Sequence, residues 1–218
     1  MNPKLIPHRL ALVSLSLVAS ATLLSACAPL VMGGAAATTV MVATARRSSG
    51  AQLDDQNIEL RAASNIRETV GTRVRVNVTS FNRRALITGE AANERDKALV
   101  GEAVRQTPNV QEVYNEVGIA NSPSFKERTE DSLLTGKVKA GLVAGKEVPS
   151  NSIKVVTERG TVYLMGLVSK AEAERATNIA RTTTGVQRVV RLFEVLPDDE
   201  VARLKALTTA APAEEPAR

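Results

Sequence analysis

The chain has 218 residues, 44% of them apolar but only 2% aromatic, with 28 basic against 23 acidic side chains and a net charge of +5. That is enough apolar material for one domain or two small ones built on Val, Leu, Ile and Ala, and the small positive surplus, spread along the chain, speaks against a nucleic-acid binder. The one histidine, His8, and the one cysteine, Cys27, both lie near the N-terminus. Imidazole general bases, Ser-His-Asp triads, Cys-His dyads and histidine zinc sites therefore have no residues to draw on further along. No GxSxG, SxxK or P-loop pattern is present, so the chain reads as no enzyme, with no cofactor or metal.

The first 26 residues read as an export signal. Lys4 and Arg9 form a short basic region, and residues 10–24 form an apolar run of 15 residues, short of the roughly 20 that a membrane-spanning helix needs. The run closes on Leu24-Ser25-Ala26-Cys27, which resembles the bacterial lipobox, Leu-(Ala/Ser)-(Gly/Ala)-Cys. That resemblance implies cleavage before Cys27 and attachment of diacylglycerol to its thiol; losing Lys4 and Arg9 would lower the net charge from +5 to +3. An ordinary secretory signal with an incidental cysteine is the alternative. Ala28, rather than Asp, follows the cysteine, which resembles an outer-membrane address in Gram-negative lipoproteins, with the protein on the periplasmic face. Three acyl chains at about 0.8 kcal/mol per buried CH2 make such anchoring effectively permanent, so any further membrane contact would set location or orientation. Residues 27–53 read as the lipidated cysteine and a tether, with an apolar segment lying on the membrane as the alternative.

From residue 54 the chain repeats itself. Ile58, Ala62, Ile66 and Val70 mark one stripe of a helix behind Asp55, and Leu134, Val138 and Leu142 mark another behind Asp131. The sets match at a constant offset of 76 residues, from Asp55 to Asp131 and from Ile66 to Leu142, and each Asp stands where a helix N-cap would be useful. A strand pair follows each helix. "RVRVNVTS" alternates Val74, Val76 and Val78 against Arg73, Arg75 and Asn77, then turns at "FNRR" into "ALITGEA". "SIKVVTE" turns at "RGT" into "VYLMGLV". Gly89 and Gly166 sit late in the second strand of each pair, where glycine commonly marks a bulge or a close backbone approach. Second helices follow, with Ala98, Ala103 and Val104, and Ala176, Ile179 and Ala180, as inward residues; Pro108 and Gly185 end them ahead of a third strand.

The fold class is therefore α+β: two αββαβ units, each a three-stranded mixed sheet with two helices packed on one face. The other sheet face is expected to be solvated and, in the first copy, basic. At about 70 residues each unit is near the lower limit for an independent core, so the two can lean on one another. The stretch 198–218 reads as a short helix and then a flexible tail.

The αββαβ unit, with "LMGLV" at 164–168, a helix of small residues and "GVQRV" at 185–189, resembles the BON domain (bacterial OsmY and nodulation). Local matches are "EVYNEV" at 112–117, "KVKAGL" at 137–142 and "IKVVTERGTVYLMGLV" at 153–168. Two such units behind a lipobox, at 54–121 and 126–197, resemble the dual-BON outer-membrane lipoproteins over essentially the whole chain. The resemblance implies a non-enzymatic protein that binds anionic phospholipid through the first helix of its second domain and gathers at sites of cell division. It also implies links to outer-membrane integrity, to outer-membrane assembly machinery and to control of peptidoglycan amidase activation.

The residues bear on that site independently. Residues 54–70 carry Arg61 and Arg67 against Asp54, Asp55, Glu59 and Glu68, a net of −2. Residues 126–146 carry Lys126, Arg128, Lys137, Lys139 and Lys146 against Glu127, Glu130 and Asp131, a net of +2. Only the second would be drawn to anionic headgroups, at up to about 1 kcal/mol per basic residue near the surface. With Leu134 inward beside Val138 and Leu142, Leu133 turns partly outward, with Lys137 one turn beyond. Lys126, Arg128, Leu133, Leu134, Lys137 and Lys139 form the candidate phospholipid site. Packing of Leu133 against the other unit, with the lysines only solvating the helix, is the open alternative. The family pattern has Trp where this chain has Leu133, and Trp prefers the membrane interface, so insertion is expected to be shallower or weaker. Arg73, Arg75, Arg83 and Arg84 form a second candidate, a sheet face that docks an acidic envelope partner or is merely solvated. Nucleic acid at those arginines is disfavoured by export and by the scarcity of aromatics for base stacking.

Overall fold

The structure is a computed structural model that describes residues 46–209. The export signal, Cys27, Ala28 and most of the expected tether lie outside the described residues, as does the chain beyond 209. The first unit comprises α1 (Ser49–Val70), β1 (Val74–Phe81), β2 (Arg84–Ala91), α2 (Glu94–Arg105), β3 (Glu112–Asn115) and β4 (Gly118–Ile119). The second comprises α3 (Phe125–Ala144), β5 (Ile153–Glu158), β6 (Thr161–Val168), α4 (Lys170–Thr182) and β7 (Arg188–Val195), followed by α5 (Asp198–Thr209). Helix α1 starts ahead of residue 54, so the end of the expected tether is helical; the C-terminal stretch is likewise helical as far as Thr209.

In each sheet the first two strands are antiparallel and the third pairs parallel with the second, in the orders β1-β2-β3 and β5-β6-β7, with β4 a short parallel continuation beside β2. Helices α1 and α2 cover one face of the first sheet, packing Ile58, Ala62, Ile66 and Val104 on Val78, Ala85 and Ile87. Helices α3 and α4 repeat this with Leu134, Val138, Leu142 and Ala176 on Val155, Val162 and Leu164. Ala103 is inward as expected but Ala98 is exposed; Val100 and Gly101 take the buried positions on that turn. The two strand glycines allow close approach: a Cβ on Gly89, whose φ is 114°, would lie 2.2 Å from the Arg75 carbonyl oxygen, and one on Gly166 2.7 Å from that of Ser152.

Asp55 and Asp131 are not N-caps. Ser48 caps α1 through its hydroxyl, and Ser124 caps α3 in a capping box with Glu127, which leaves both aspartates within their helices. Their carboxylates reach instead to the hairpin that follows. Asp55 accepts from the backbone N–H of Asn82 and of Arg83, each at 2.8 Å. Asp131 accepts from the N–H of Arg159 at 2.7 Å and of Gly160 at 2.8 Å. Both two-residue turns hold positive φ at their central positions, 52° and 64° at Asn82 and Arg83, 49° and 68° at Arg159 and Gly160, as a hairpin matched to strand twist requires. Non-glycine residues reach that region at a cost of roughly 1–2 kcal/mol. The helix-borne carboxylate offsets this by satisfying two turn amides at once. The constant offset from Asp55 to Asp131 thus records a helix-to-hairpin lock.

The outer sheet faces are solvated only in part: Arg73, Arg75 and Asn77 stay exposed at one end of the first, while its other end is covered. Phe81 and Leu86 of the first unit pack with Tyr163, Met165, Leu167 and Leu192 of the second in a third apolar cluster. Strands β2 and β6 are consequently buried along both faces, and this is why "ALITGEA" and "VYLMGLV" read as nearly unbroken apolar runs. Each unit is too small to hide both faces of its central strand, and the neighbouring unit supplies the missing cover. Polar contacts ring the layer: Lys154 Nζ donates to Glu59 at 2.8 Å and to the Ser80 carbonyl at 3.1 Å, and Asn82 Nδ2 donates to Glu194 at 2.9 Å. Arg159 Nε donates at 3.0 Å to Glu90, a carboxylate 3% exposed whose second oxygen has no partner among the described residues. Burial, then the charges of Glu90 and Asp131, push the neighbouring Glu158 up from the ordinary carboxylate range, against the opposing pull of Arg75 and Arg159.

Asp131→Ala leaves the turn amides of Arg159 and Gly160 without their acceptor and is expected to cost about 1–3 kcal/mol in urea denaturation. Ser132→Ala, on the exposed side of the same turn of helix, serves as the control and is expected to change little.

Candidate functional site

Helix α3 presents two unlike sides. Leu134, Val138 and Leu142 recur at helical spacing and face the core. On the other side Phe125 is 78% exposed, Leu133 61% and Val143 72%. At 100° per residue these three fall within an arc of roughly 80°, and the small residues Gly136 and Ala140 fall between them. Lys126 and Lys137 run along one border of this strip, and Arg128 and Lys139 along the other; all four are exposed. The Arg128 guanidinium lies 5.9 Å from the centre of the Phe125 ring, within reach of a cation–π contact. Lys126 approaches Glu130 only to 3.8 Å, and both are well exposed, so the pair leaves the border positive at little energetic consequence. An apolar strip with cationic borders is the pattern of a helix that lies in a membrane surface rather than across it. Among the described residues no helix is long and apolar enough to cross one.

Five of the six residues expected at this site, Lys126, Arg128, Leu133, Lys137 and Lys139, stand together on that surface. Leu134 does not: it is 7% exposed and belongs to the core with Val138 and Leu142. It meets the surface only as part of the wall of a hollow of about 530 Å³ that it shares with Leu133, Lys137, Thr184 and Gln187. Sequence reasoning missed Phe125 and Val143. Their signal was available, because Phe125 and Val143 stand eighteen residues apart, which is five full turns, and both fall about 80° from Leu133, and the Ser124–Glu127 box marks where that helix begins.

The four arginines of the other candidate are scattered. Arg73 pairs with Asp96 at 3.2 Å, Arg83 in the hairpin turn pairs with Asp54 at 2.7 Å, and Arg84 lies between Glu112 at 3.4 Å and Glu194 at 3.7 Å. Only Arg75 makes no close ion pair among the described residues, and its charge acts on Glu158. The sheet face they were expected to crown packs on the second unit at its Phe81 and Leu86 end and is exposed at Arg73 and Arg75.

A different pair of arginines performs a role that nothing in the sequence marks. Arg46, 8% exposed, donates at 2.7 Å to each oxygen of Glu172 and at 2.9 Å to the Leu167 carbonyl, all in the second unit. Arg47 turns to the first unit, where it lies 3.9 Å over the Phe81 ring and pairs with Asp55. Burial works to raise the pKa of Glu172. The hydrogen bonds from Arg46 and from the Ser169 backbone, with the charges of Arg46 and Arg175, outweigh it and hold the carboxyl below its usual range.

The BON domain family model matches residues 54–121 and 130–197. The chain is 32% identical over 185 residues to the outer membrane lipoprotein DolP of Haemophilus influenzae, covering 84% of this chain and 95% of that protein. It is 34% identical over 153 residues to the 21 kDa hemolysin of Actinobacillus pleuropneumoniae, covering 67% and 77%. It is 36% identical over 99 residues to the osmotically inducible protein Y of Escherichia coli, covering 43% and 49%.

Because Glu172 binds its proton more weakly folded than unfolded, the stability it contributes is full above its unfolded pKa and is lost as pH falls through the lowered one. Arg46→Met should therefore cost about 1–3 kcal/mol near pH 7, where it takes the main partner from a partly buried carboxylate, and distinctly less in acid, where Glu172 is protonated. Urea denaturation at the two pH values checks this.

Proposed function

The chain belongs to the BON-domain family, and from that premise we propose an outer-membrane lipoprotein, held on the periplasmic face through acylated Cys27, whose second domain binds anionic phospholipid with the outer side of α3. The observation that carries this reading is the exposed strip of Phe125, Leu133 and Val143 between Lys126 and Lys137 on one border and Arg128 and Lys139 on the other. The apolar side chains enter the headgroup boundary and the cations hold anionic headgroups, at up to about 1 kcal/mol each. Leu133 in place of Trp makes the insertion shallow, and Phe125 supplies the aromatic ring that the strip otherwise lacks. The lipoprotein and outer-membrane parts of the reading draw on the likeness to the Haemophilus influenzae protein and on the lipobox ending at Cys27. In the same family reading the protein binds rather than catalyses. It supports outer-membrane integrity from division sites, alongside outer-membrane assembly or peptidoglycan amidase-activation machinery. An adaptor role through Arg73, Arg75, Arg83 and Arg84 is the weaker reading, since three of the four already hold carboxylates of this chain.

Anchoring is tested with labelled palmitate, which the chain should incorporate and its Cys27→Ser variant should not; equal incorporation by both would exclude this anchor. Lipid reading is tested with the unacylated mature chain, residues 28–218, and vesicles. It should sediment with phosphatidylglycerol vesicles and not with phosphatidylcholine, release as salt rises, and lose binding on Leu133→Glu with Lys137→Glu. Equal binding to neutral vesicles, or no effect of the double substitution, would sink the proposal.

A further inference from the structure

We propose that the open edge of β7 is a docking site for an acidic, extended segment of another protein, which joins the second sheet as a fourth strand. This goes beyond the lipid reading and is independent of it. The sheet edges of the two units differ in how far they are closed. On β1 the Ser80 N–H is taken by Glu59 at 2.8 Å and its carbonyl by Lys154 at 3.1 Å. The third strand of the first unit is broken, with Glu112–Asn115 separated from Gly118–Ile119. Its counterpart β7 runs unbroken, paired with β6 from Thr161↔Arg188 to Val168↔Val195, and ends the sheet. Every second residue of such a strand turns its N–H and C=O away from the neighbour, and among the described residues nothing pairs with them. An open edge of this kind is a template for an added strand.

Charge selects the occupant. Between α4 and β7 lies a hollow of about 480 Å³ whose walls include Thr177, Val189, Arg181, Arg188 and Arg191. Arg188 is engaged with Glu116 at 3.3 Å. Arg181 and Arg191 are exposed and meet no carboxylate among the described residues. A second copy of this chain, paired edge to edge about Arg191, would set that arginine against its counterpart, which is destabilising in facing strands. A neutral strand would leave them unmatched. A segment that alternates acidic and apolar residues satisfies the edge amides with its backbone and both arginines with its carboxylates.

The test uses the isotope-labelled, unacylated mature chain, residues 28–218, and two blocked peptides of equal length, one alternating Val with Glu and one alternating Val with Lys. The Glu peptide alone should shift the amide resonances of residues 188–195. Arg181→Glu with Arg191→Glu should weaken it by at least about tenfold and transfer the preference to the Lys peptide. Binding to phosphatidylglycerol vesicles should be unchanged by that pair, so failure here and failure of the lipid reading are told apart. The proposal is overturned if neither peptide binds, if both bind alike, if the shifts map to α3 instead, or if the β7 amides respond to protein concentration alone.

Discussion

Everything else in the molecule rests on the apolar layer that the two sheets share. Leu86, Met165, Tyr163 and Leu192 sit on sheet faces turned away from their own helices. Full burial of side chains of this size is worth roughly 1.5–3 kcal/mol apiece. Neither unit could expose them alone, and neither has spare helices to cover them. The layer makes the two repeats one body. It also covers most of both outer sheet faces, so that the surface open to a ligand lies mainly on the helices and the strand edges.

That division separates the two surfaces discussed above. Helix α3 spends one side on the core and keeps the other for solvent, with its charges at the borders. Helix α1, its counterpart in the first unit, carries a net negative charge over 54–70 and directs Asp55 and Glu59 into the hairpin and the domain boundary. The duplicated unit therefore serves as scaffold in one copy and as a presenting surface in the other. The same asymmetry recurs at the third strand, broken in the first copy and continuous in the second.

Much of this was legible in the residues. The period of Ile58, Ala62, Ile66 and Val70, the alternation from Val74 to Val78 and the 76-residue offset locate helices, strands and duplication. The exposed cations of α3 follow from the same period. What was not legible depended on partners distant in sequence. Asp55 and Asp131 look like N-caps because a carboxylate near a helix start usually is one; only the hairpin folded against each helix reveals another acceptor role. The apolar character of "VYLMGLV" does not say which of its faces meets helices and which meets a second sheet. The separation of Arg46 from Glu172 is 126 residues, and no local pattern announces it.

The Arg46 fork has a mechanical consequence. Tension entering the described chain from its N-terminal side reaches Arg46 before it reaches α1 and passes through the guanidinium into Glu172 and the start of α4. The repeat that comes later in sequence thus takes up the pull first, and the earlier repeat is shielded by Arg47 seated on Phe81. On the attachment proposed above, the body would turn about the start of α4 rather than swing from the end of α1.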